Sequence, residues 1–148
     1  MTLLNESTLR TVMRTQLKTV ASLPASKYRA WENRKFKPPE ADEDQPWIRE
    51  HVSILSERKS STGYVEAVGT TQYSVYVPAG RGTAQADALA KAIAEAFEAG
   101  QSLTGTGLTV ILERTERAPY RVDASDSIWV FKTVTSRWRV FTSSSTNG

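Results

Sequence analysis

The stretch VYVPAGRGTAQADALAKAIAEAF, residues 75–97, joins a strand pattern to a helix pattern through a turn with two glycines. Up to Pro78, apolar and polar side chains alternate, which is typical of a β-strand with one buried face. After Thr83, a candidate N-cap, apolar residues recur at helical spacing until Gly100, a candidate residue C′. The stretch therefore predicts a strand over 64–78 and a helix over 83–99.

The turn Gly80-Arg81-Gly82 lacks the signatures of the two common phosphate-binding loops. A P-loop requires Lys followed by Ser or Thr, but Thr83-Ala84 follow the second glycine. A dinucleotide-binding loop requires a third glycine where Gln85 stands. We therefore expect a strand-to-helix turn whose glycines adopt unusual φ values. Two binding roles for Arg81 stay open, a phosphate at the helix N-terminus and a carboxylate of a protein partner, and the second is favoured.

Periodicity elsewhere predicts one more helix and four further strand segments. The helix covers 3–21, with Thr2 or Asn5 as its cap, and the strands cover 27–31, 47–55, 108–115 and 128–141. This order indicates an α+β fold, a mostly antiparallel sheet with an N-terminal helix and a mid-chain helix packed on it. We expect a single domain over 1–141 and a flexible C-terminal tail over 142–148.

Three polar segments are predicted to connect these elements. Residues 101–107 are a turn-rich link, and the basic segment 114–121 is a solvated loop. Residues 32–46 contain three prolines, and a connection this long is either functional or a disordered insertion. We treat it as a candidate mobile assembly loop, with the residues Glu32, Asn33, Phe36, Pro38, Asp42 and Asp44.

Composition and charge exclude several classes of protein. The 148 residues contain no cysteine, and no apolar run approaches the roughly 18 residues that a membrane span needs. The net charge of +3 is scattered, whereas a duplex-binding protein usually concentrates its basic residues on one stripe. We expect the protein not to associate with membranes and to be made in the cytoplasm.

The sequence singles out no catalytic residue, cofactor site or metal site. His51 is the only histidine, and a general acid or base would need a carboxylate partner that the sequence does not place. The acidic run Asp42-Glu43-Asp44 matches no calcium-binding loop. We expect no enzyme and no cofactor.

Exposed aromatic and arginine side chains are the better candidates for function. Tryptophan and arginine are enriched at protein interfaces, and the strand at 128–141 carries apolar side chains on both faces. Core filling is expected for Trp138. The predicted subunit or tube interface comprises Trp47, Arg49, Gly80, Arg81, Gly82, Trp129 and Phe131.

The ordered set of these motifs resembles the tail terminator, or minor tail, proteins of phages with long non-contractile tails. The set runs from Trp31-Glu-Asn33 and Phe36-x-Pro38 through Trp47-Ile-Arg49 and the strand–turn–helix of 69–100 to the strand with Trp129 and Trp138. The resemblance covers roughly residues 1–141.

The resemblance implies a structural protein of the virion tail. Such a protein forms a homo-hexameric ring on the tail tube, ends its polymerisation and offers a joining surface to the neck. The implied partners are further copies of the chain, the major tail tube protein and a neck or head-completion protein. DNA would pass through the lumen without specific binding, and assembly would take place in the host cytoplasm.

Two alternatives to a tail terminator stay open. One is another neck component, such as a head-closure or tail-completion connector. The other is a nucleic-acid-binding module that uses Arg81 and the basic segment 114–121.

Overall fold

The computed structural model describes residues 4–59, 64–80, 82–124, 126 and 128–142. Two α-helices and seven β-strands make up the fold, with single 3-10 turns at Ser26–Tyr28 and Ala41–Glu43. In chain order the elements are α1 (Glu6–Leu17), β1 (Arg29–Ala30), β2 (Trp47–Lys59), β3 (Val65–Pro78), α2 (Ala84–Ala96), β4 (Ser102–Gly105), β5 (Leu108–Arg117), β6 (Arg121–Val122) and β7 (Trp129–Thr142).

All seven strands belong to one sheet, in the order β1-β2-β3-β7-β5-β4, with the short β6 paired to β7. Every pairing is antiparallel except that of β1 with β2. The long strands β3 and β7 pair along their whole length, from Glu66 opposite Phe141 to Pro78 opposite Trp129. The predicted α+β class with a mostly antiparallel sheet is confirmed.

Both helices pack on one face of the sheet, where the main core lies. The fully buried side chains of Leu9, Met13 and Leu17 come from α1, and those of Ala90 and Ile93 come from α2. Each large apolar side chain buried in this way contributes about 1.5–3 kcal/mol relative to exposure. The helical spacing of these residues therefore fixes which side of each helix faces the sheet.

The N-terminal helix begins where a capping residue predicts it. The Asn5 side chain accepts a hydrogen bond from the Thr8 backbone N–H at 3.1 Å, which satisfies one of the unpaired donors of the first turn. The second helix has no such cap, because the Thr83 side chain makes no capping hydrogen bond. That helix ends at Ala96, so Gly100 lies beyond its C-terminus and donates its N–H to the Leu112 carbonyl instead.

Two segments that were predicted as connections are largely β-strand in the structure. The 101–107 link contains β4, whose residues Ser102–Gly105 pair with the start of β5. The 114–121 segment lies mostly in β5 and β6 rather than in a solvated loop. β7 includes Thr142, which was assigned to the tail, and 143–148 lie outside the described residues. β4 pairs only with its hairpin neighbour β5, whereas 114–117 and Thr142 pair with residues far along the chain, and in each case strand pairing overrides local turn composition.

Gly69 allows β3 to pass beneath the largest core side chain. A Cβ atom at this position would lie 2.3 Å from the Ser53 carbonyl oxygen and 2.7 Å from the Trp138 ring. Such contacts are closer than non-bonded atoms tolerate, so any side chain there would displace the backbone of β2. Trp138 itself is completely buried, as predicted.

Candidate assembly surface

The face of the sheet opposite the helices is largely polar, and we call it the open face. Along β3 and β7 it carries hydroxyl and amide side chains that bond across the strands. Ser74 and Thr133 are joined by a hydrogen bond of 2.9 Å, and the Gln72 amide donates to Thr135 at 3.4 Å. These side chains are half-buried, which suits a surface that contacts water or a partner.

One end of the open face is an aromatic cluster across three neighbouring strands. Register places Trp47 opposite Tyr76, and Tyr76 opposite Phe131. Trp47 stacks on Tyr76 at 4.0 Å and meets the edge of Trp129 at 5.7 Å, while Phe36 packs on it at 4.9 Å. Trp47 and Trp129 are only 1% and 2% exposed, because their own chain covers them. Their predicted role at an interface stays a prediction.

Arg49 is the exposed charge of this aromatic cluster. Its guanidinium carbon lies 5.4 Å from the Trp47 ring and 5.9 Å from the Tyr76 ring, within the range of cation–π attraction. Burial raises the pKa of the Tyr76 hydroxyl, and the positive charge of Arg49 opposes that rise. The guanidinium is thus held over the rings while the side chain stays exposed to solvent.

Glu32 anchors the start of the 32–46 loop to the rest of the fold. Its Oε1 accepts from Arg10 Nη2 at 3.2 Å and from the Val52 N–H at 2.9 Å, at the outer edge of β2. Its Oε2 lies 3.1 Å from Nδ1 of the exposed His51. The sequence had placed Glu32 among the mobile residues, but in the fold it joins α1 to the sheet edge.

The remainder of the loop borders an open cleft of about 530 Å³. Phe36 holds the loop against Trp47, whereas Pro38, Asp42 and Asp44 are exposed. Asn33 and Asp44 have φ of 58° and 54°, the left-handed region that Asn and Asp tolerate best. The loop therefore has a defined path with a polar outer surface.

The turn after β3 depends on its glycines for its backbone direction. Gly80 and Gly82 have φ of 81° and 82°, and a Cβ atom at either position would meet nothing of the chain within 4 Å. The glycines are thus needed for their backbone conformation, as expected, and not for close packing within the chain. Arg81 lies outside the described residues.

The first turn of α2 already holds a carboxylate. Asp87 accepts a hydrogen bond from the Tyr120 hydroxyl at 3.0 Å and lies 3.4 Å from Lys132 Nζ. The Tyr120 hydrogen bond is the main cause of a lowered Asp87 pKa, and burial and Asp87 together raise the pKa of Tyr120 to about 12. Because Asp87 occupies the positive end of the helix dipole, a phosphate is disfavoured there.

The other end of the open face is a ladder of alternating charges. Glu66 lies between Arg58 at 2.7 Å and Arg139 at 3.2 Å, and Glu113 lies between Arg139 at 3.3 Å and Arg137 at 3.8 Å. In the basic segment 114–121, Arg114 Nε is 2.7 Å from the Glu116 carboxylate. These carboxylates break up the concentrated basic stripe that duplex binding requires.

Two further kinds of feature were sought among the described residues, a metal site and a membrane-spanning helix. They contain no group of three or more His, Cys, Asp or Glu side chains placed to hold a metal ion. None of the helices described is long and apolar enough to cross a membrane.

Comparison with known proteins decides the family. The phage tail terminator protein family matches residues 8–138, which is most of the chain and includes both helices and the sheet. The chain belongs to this phage tail terminator family. It is therefore a structural protein of the phage tail. A search among curated proteins gave no match.

Solved structures share the fold of this tail terminator family member. A chain from the virion of a native gene transfer agent (GTA) particle is 21% identical, with a TM-score of 0.68 over 92% of this chain and 96% of that one. A second solved chain is 19% identical, with a TM-score of 0.65 over 97% of this chain and 99% of that one. At these identities the likeness concerns the fold.

Proposed function

We propose that this protein forms a homo-hexameric ring on the end of the completed tail tube, ends tube polymerisation and provides the joining surface to the neck. The observation that carries the proposal is the family match over residues 8–138. The open face and the exposed 32–46 loop are surfaces that the chain itself does not cover, so other subunits can contact them.

A ring needs two different surfaces that meet head to tail. Heterologous contacts form a ring when successive rotations bring the last subunit back to the first, and otherwise they form an open filament. The aromatic cluster and the turn at 79–83 form one candidate surface, and the 32–46 loop forms another. A terminator must also bind the tube on one side without offering the same side to the next tube subunit.

Within the aromatic cluster, the exposed groups are proposed to make the contact and the buried ones to support them. Arg49 and the half-buried Phe131 reach the surface, whereas Trp47 and Trp129 hold them from beneath. Gly80, Arg81 and Gly82 are proposed to meet the tube or a neighbouring subunit, since the turn follows the end of β3 and its glycines are exposed.

The proposed partners are the major tail tube protein, a neck or head-completion protein, and further copies of this chain. DNA passes through the lumen without specific binding, which fits the mixed charges of the open face. The protein acts without a cofactor or catalytic step and assembles in the host cytoplasm.

Electron microscopy of particles that lack this protein tests the proposal. Tails longer than those of the wild-type phage are expected, because nothing ends the addition of tube subunits. Supplying the wild-type protein in trans restores normal length. Tails of normal length that never join heads would overturn the proposal in favour of a head-closure or tail-completion connector.

A further inference from the structure

The segment 27–44 carries balanced but separated charges. Its five basic and five acidic residues cancel, with every basic residue before Pro38. We call one group the basic half, which comprises Lys27, Arg34, Lys35 and Lys37. The acidic half comprises Glu40, Asp42, Glu43 and Asp44. The segment is therefore an exposed dipole of four charges on each side.

The residues that the structure describes neutralise neither half. Arg29 and Glu32, the other two charges of the segment, already bind the Pro24 carbonyl and Arg10. Among described residues, by contrast, no side chain of either half forms an ion pair with another. This holds although both halves contribute to the same cleft of about 530 Å³. Exposed arginines elsewhere, such as Arg58 and Arg114, do find carboxylates.

The fold holds both halves in place. Phe36 lies on Trp47 between basic residues, and the acidic half contains the 3-10 turn at Ala41–Glu43. The Arg34 N–H donates to the Trp31 carbonyl, which closes a turn at the start of the basic half. A partner that binds here therefore has less conformational entropy to remove than with an unstructured loop.

We propose that the basic half of one copy binds the acidic half of the next copy around the ring. This inference rests on the proposed ring and identifies one of its seams. A polyanion such as DNA would be attracted by one half and repelled by the other, whereas a second copy carries both charges. Complementary charges of this kind direct orientation and register and are weakened by salt.

Charge-reversal variants of this protein test the seam, with assembly measured on tube ends and in solution. Lys35→Glu/Lys37→Glu reverses two of the four charges of the basic half, and Asp42→Lys/Glu43→Lys reverses two of the four charges of the acidic half. Each variant alone is expected to lower self-association at least roughly tenfold, because the reversed residues then face like charges across every seam. Lys18→Glu/Lys91→Glu changes the net charge as much as the first variant at exposed positions elsewhere and is expected to associate like the wild type.

Recovery of binding identifies the contact. An equimolar mixture of the two reversed variants is expected to assemble again, since positions 35 and 37 then face opposite charges at positions 42 and 43 across every seam between the two variants. The variant with all four substitutions is expected to assemble alone. Native mass spectrometry and counts of capped tube ends, at low and at high salt, provide the readout.

Three outcomes separate this inference from the proposed function. Reversed variants that cap tubes and assemble like the wild type overturn the seam and leave the terminator role intact. Loss of DNA binding with unchanged assembly also overturns the seam and assigns the basic half to nucleic acid. A wild-type protein that neither assembles nor caps tubes overturns the proposed function itself.

Discussion

Arg14 of α1 holds the Glu50 carboxylate of β2 at two points, with Nε 3.0 Å from Oε2 and Nη2 2.5 Å from Oε1. The Glu50 side chain is fully buried, and the Arg14 guanidinium lies 4.5 Å from the Trp31 ring. The hydrogen bonds to Glu50 raise the pKa of Arg14. This pair therefore fixes the N-terminal helix on the sheet beside the 32–46 loop.

Replacing Arg14 with Met is expected to destabilise the protein by about 3–5 kcal/mol, because it leaves the Glu50 charge buried without a partner. The double variant Arg14→Met/Glu50→Met is expected to recover most of that loss, since no buried charge remains. Chemical denaturation measures both. Equal free energies of unfolding for the single and the double variant would show that the pair does not carry this cost.

A second prediction concerns the hydrogen bond from Trp138 Nε1 to Thr71 Oγ1, which is 2.9 Å long and completely buried. Thr71→Val keeps the side-chain shape but leaves the indole N–H without its acceptor, at a cost of about 1–3 kcal/mol. In a Trp138→Phe background the same substitution is expected to cost much less. Additive effects of the two substitutions would contradict the predicted coupling.

The fold class followed from the sequence because helix and strand patterns are local. The apolar spacing at Leu89, Ile93 and Phe97 identified α2, and the alternation through Tyr73 and Val75 identified β3. Periods of 3.6 and 2 residues need no knowledge of distant contacts. These elements alone were enough to give the α+β class.

Features that depend on distant partners could not be read in the same way. The pairing of Glu50 with Arg14 joins residues 36 positions apart, and Glu32 reaches Arg10 across 22 positions. Trp47 was assigned to a strand face correctly, but its cover by Phe36 comes from a loop with no periodic pattern. Loop packing thus decides which of the predicted interface residues are buried in the folded chain.

A third prediction concerns the pKa of Asp87, which lies below its ordinary value of 3.8 mainly because Tyr120 donates a hydrogen bond to it. Tyr120→Phe removes the donor, so this pKa is expected to rise toward 3.8. Lys132→Met removes a smaller contribution and is expected to raise it less. Carboxyl NMR titration measures both shifts, and an unchanged Asp87 pKa in Tyr120→Phe would contradict the assignment.

Because of these two pKa shifts, Asp87 and Tyr120 make the stability of the fold depend on pH in the acidic and in the alkaline range. A lowered carboxyl pKa stabilises the fold above the unfolded-state pKa, and this contribution is lost as pH falls through the lower folded-state pKa of Asp87. The pKa of Tyr120 is raised to about 12, and this shift stabilises the fold at pH values below the ordinary tyrosine pKa of 10. That contribution is lost as pH rises from 10 through about 12. Tyr120→Phe is expected to remove the part of the alkaline loss that Tyr120 causes and to leave the part caused by Tyr76, whose pKa is also raised.

The last prediction separates support from contact in the aromatic cluster. Trp47→Ala is expected to destabilise the chain by about 3–5 kcal/mol, because a fully buried ring with three aromatic neighbours is lost. Arg49→Ala removes an exposed side chain with cation–π contacts and is expected to destabilise the chain by only about 0.5–1 kcal/mol. If Arg49 contacts the tube or a neighbouring subunit, the same variant caps tube ends poorly although it remains folded. An Arg49→Ala protein that caps tubes as well as the wild type would remove Arg49 from the proposed interface and leave Phe131 as the group of this cluster that reaches the surface.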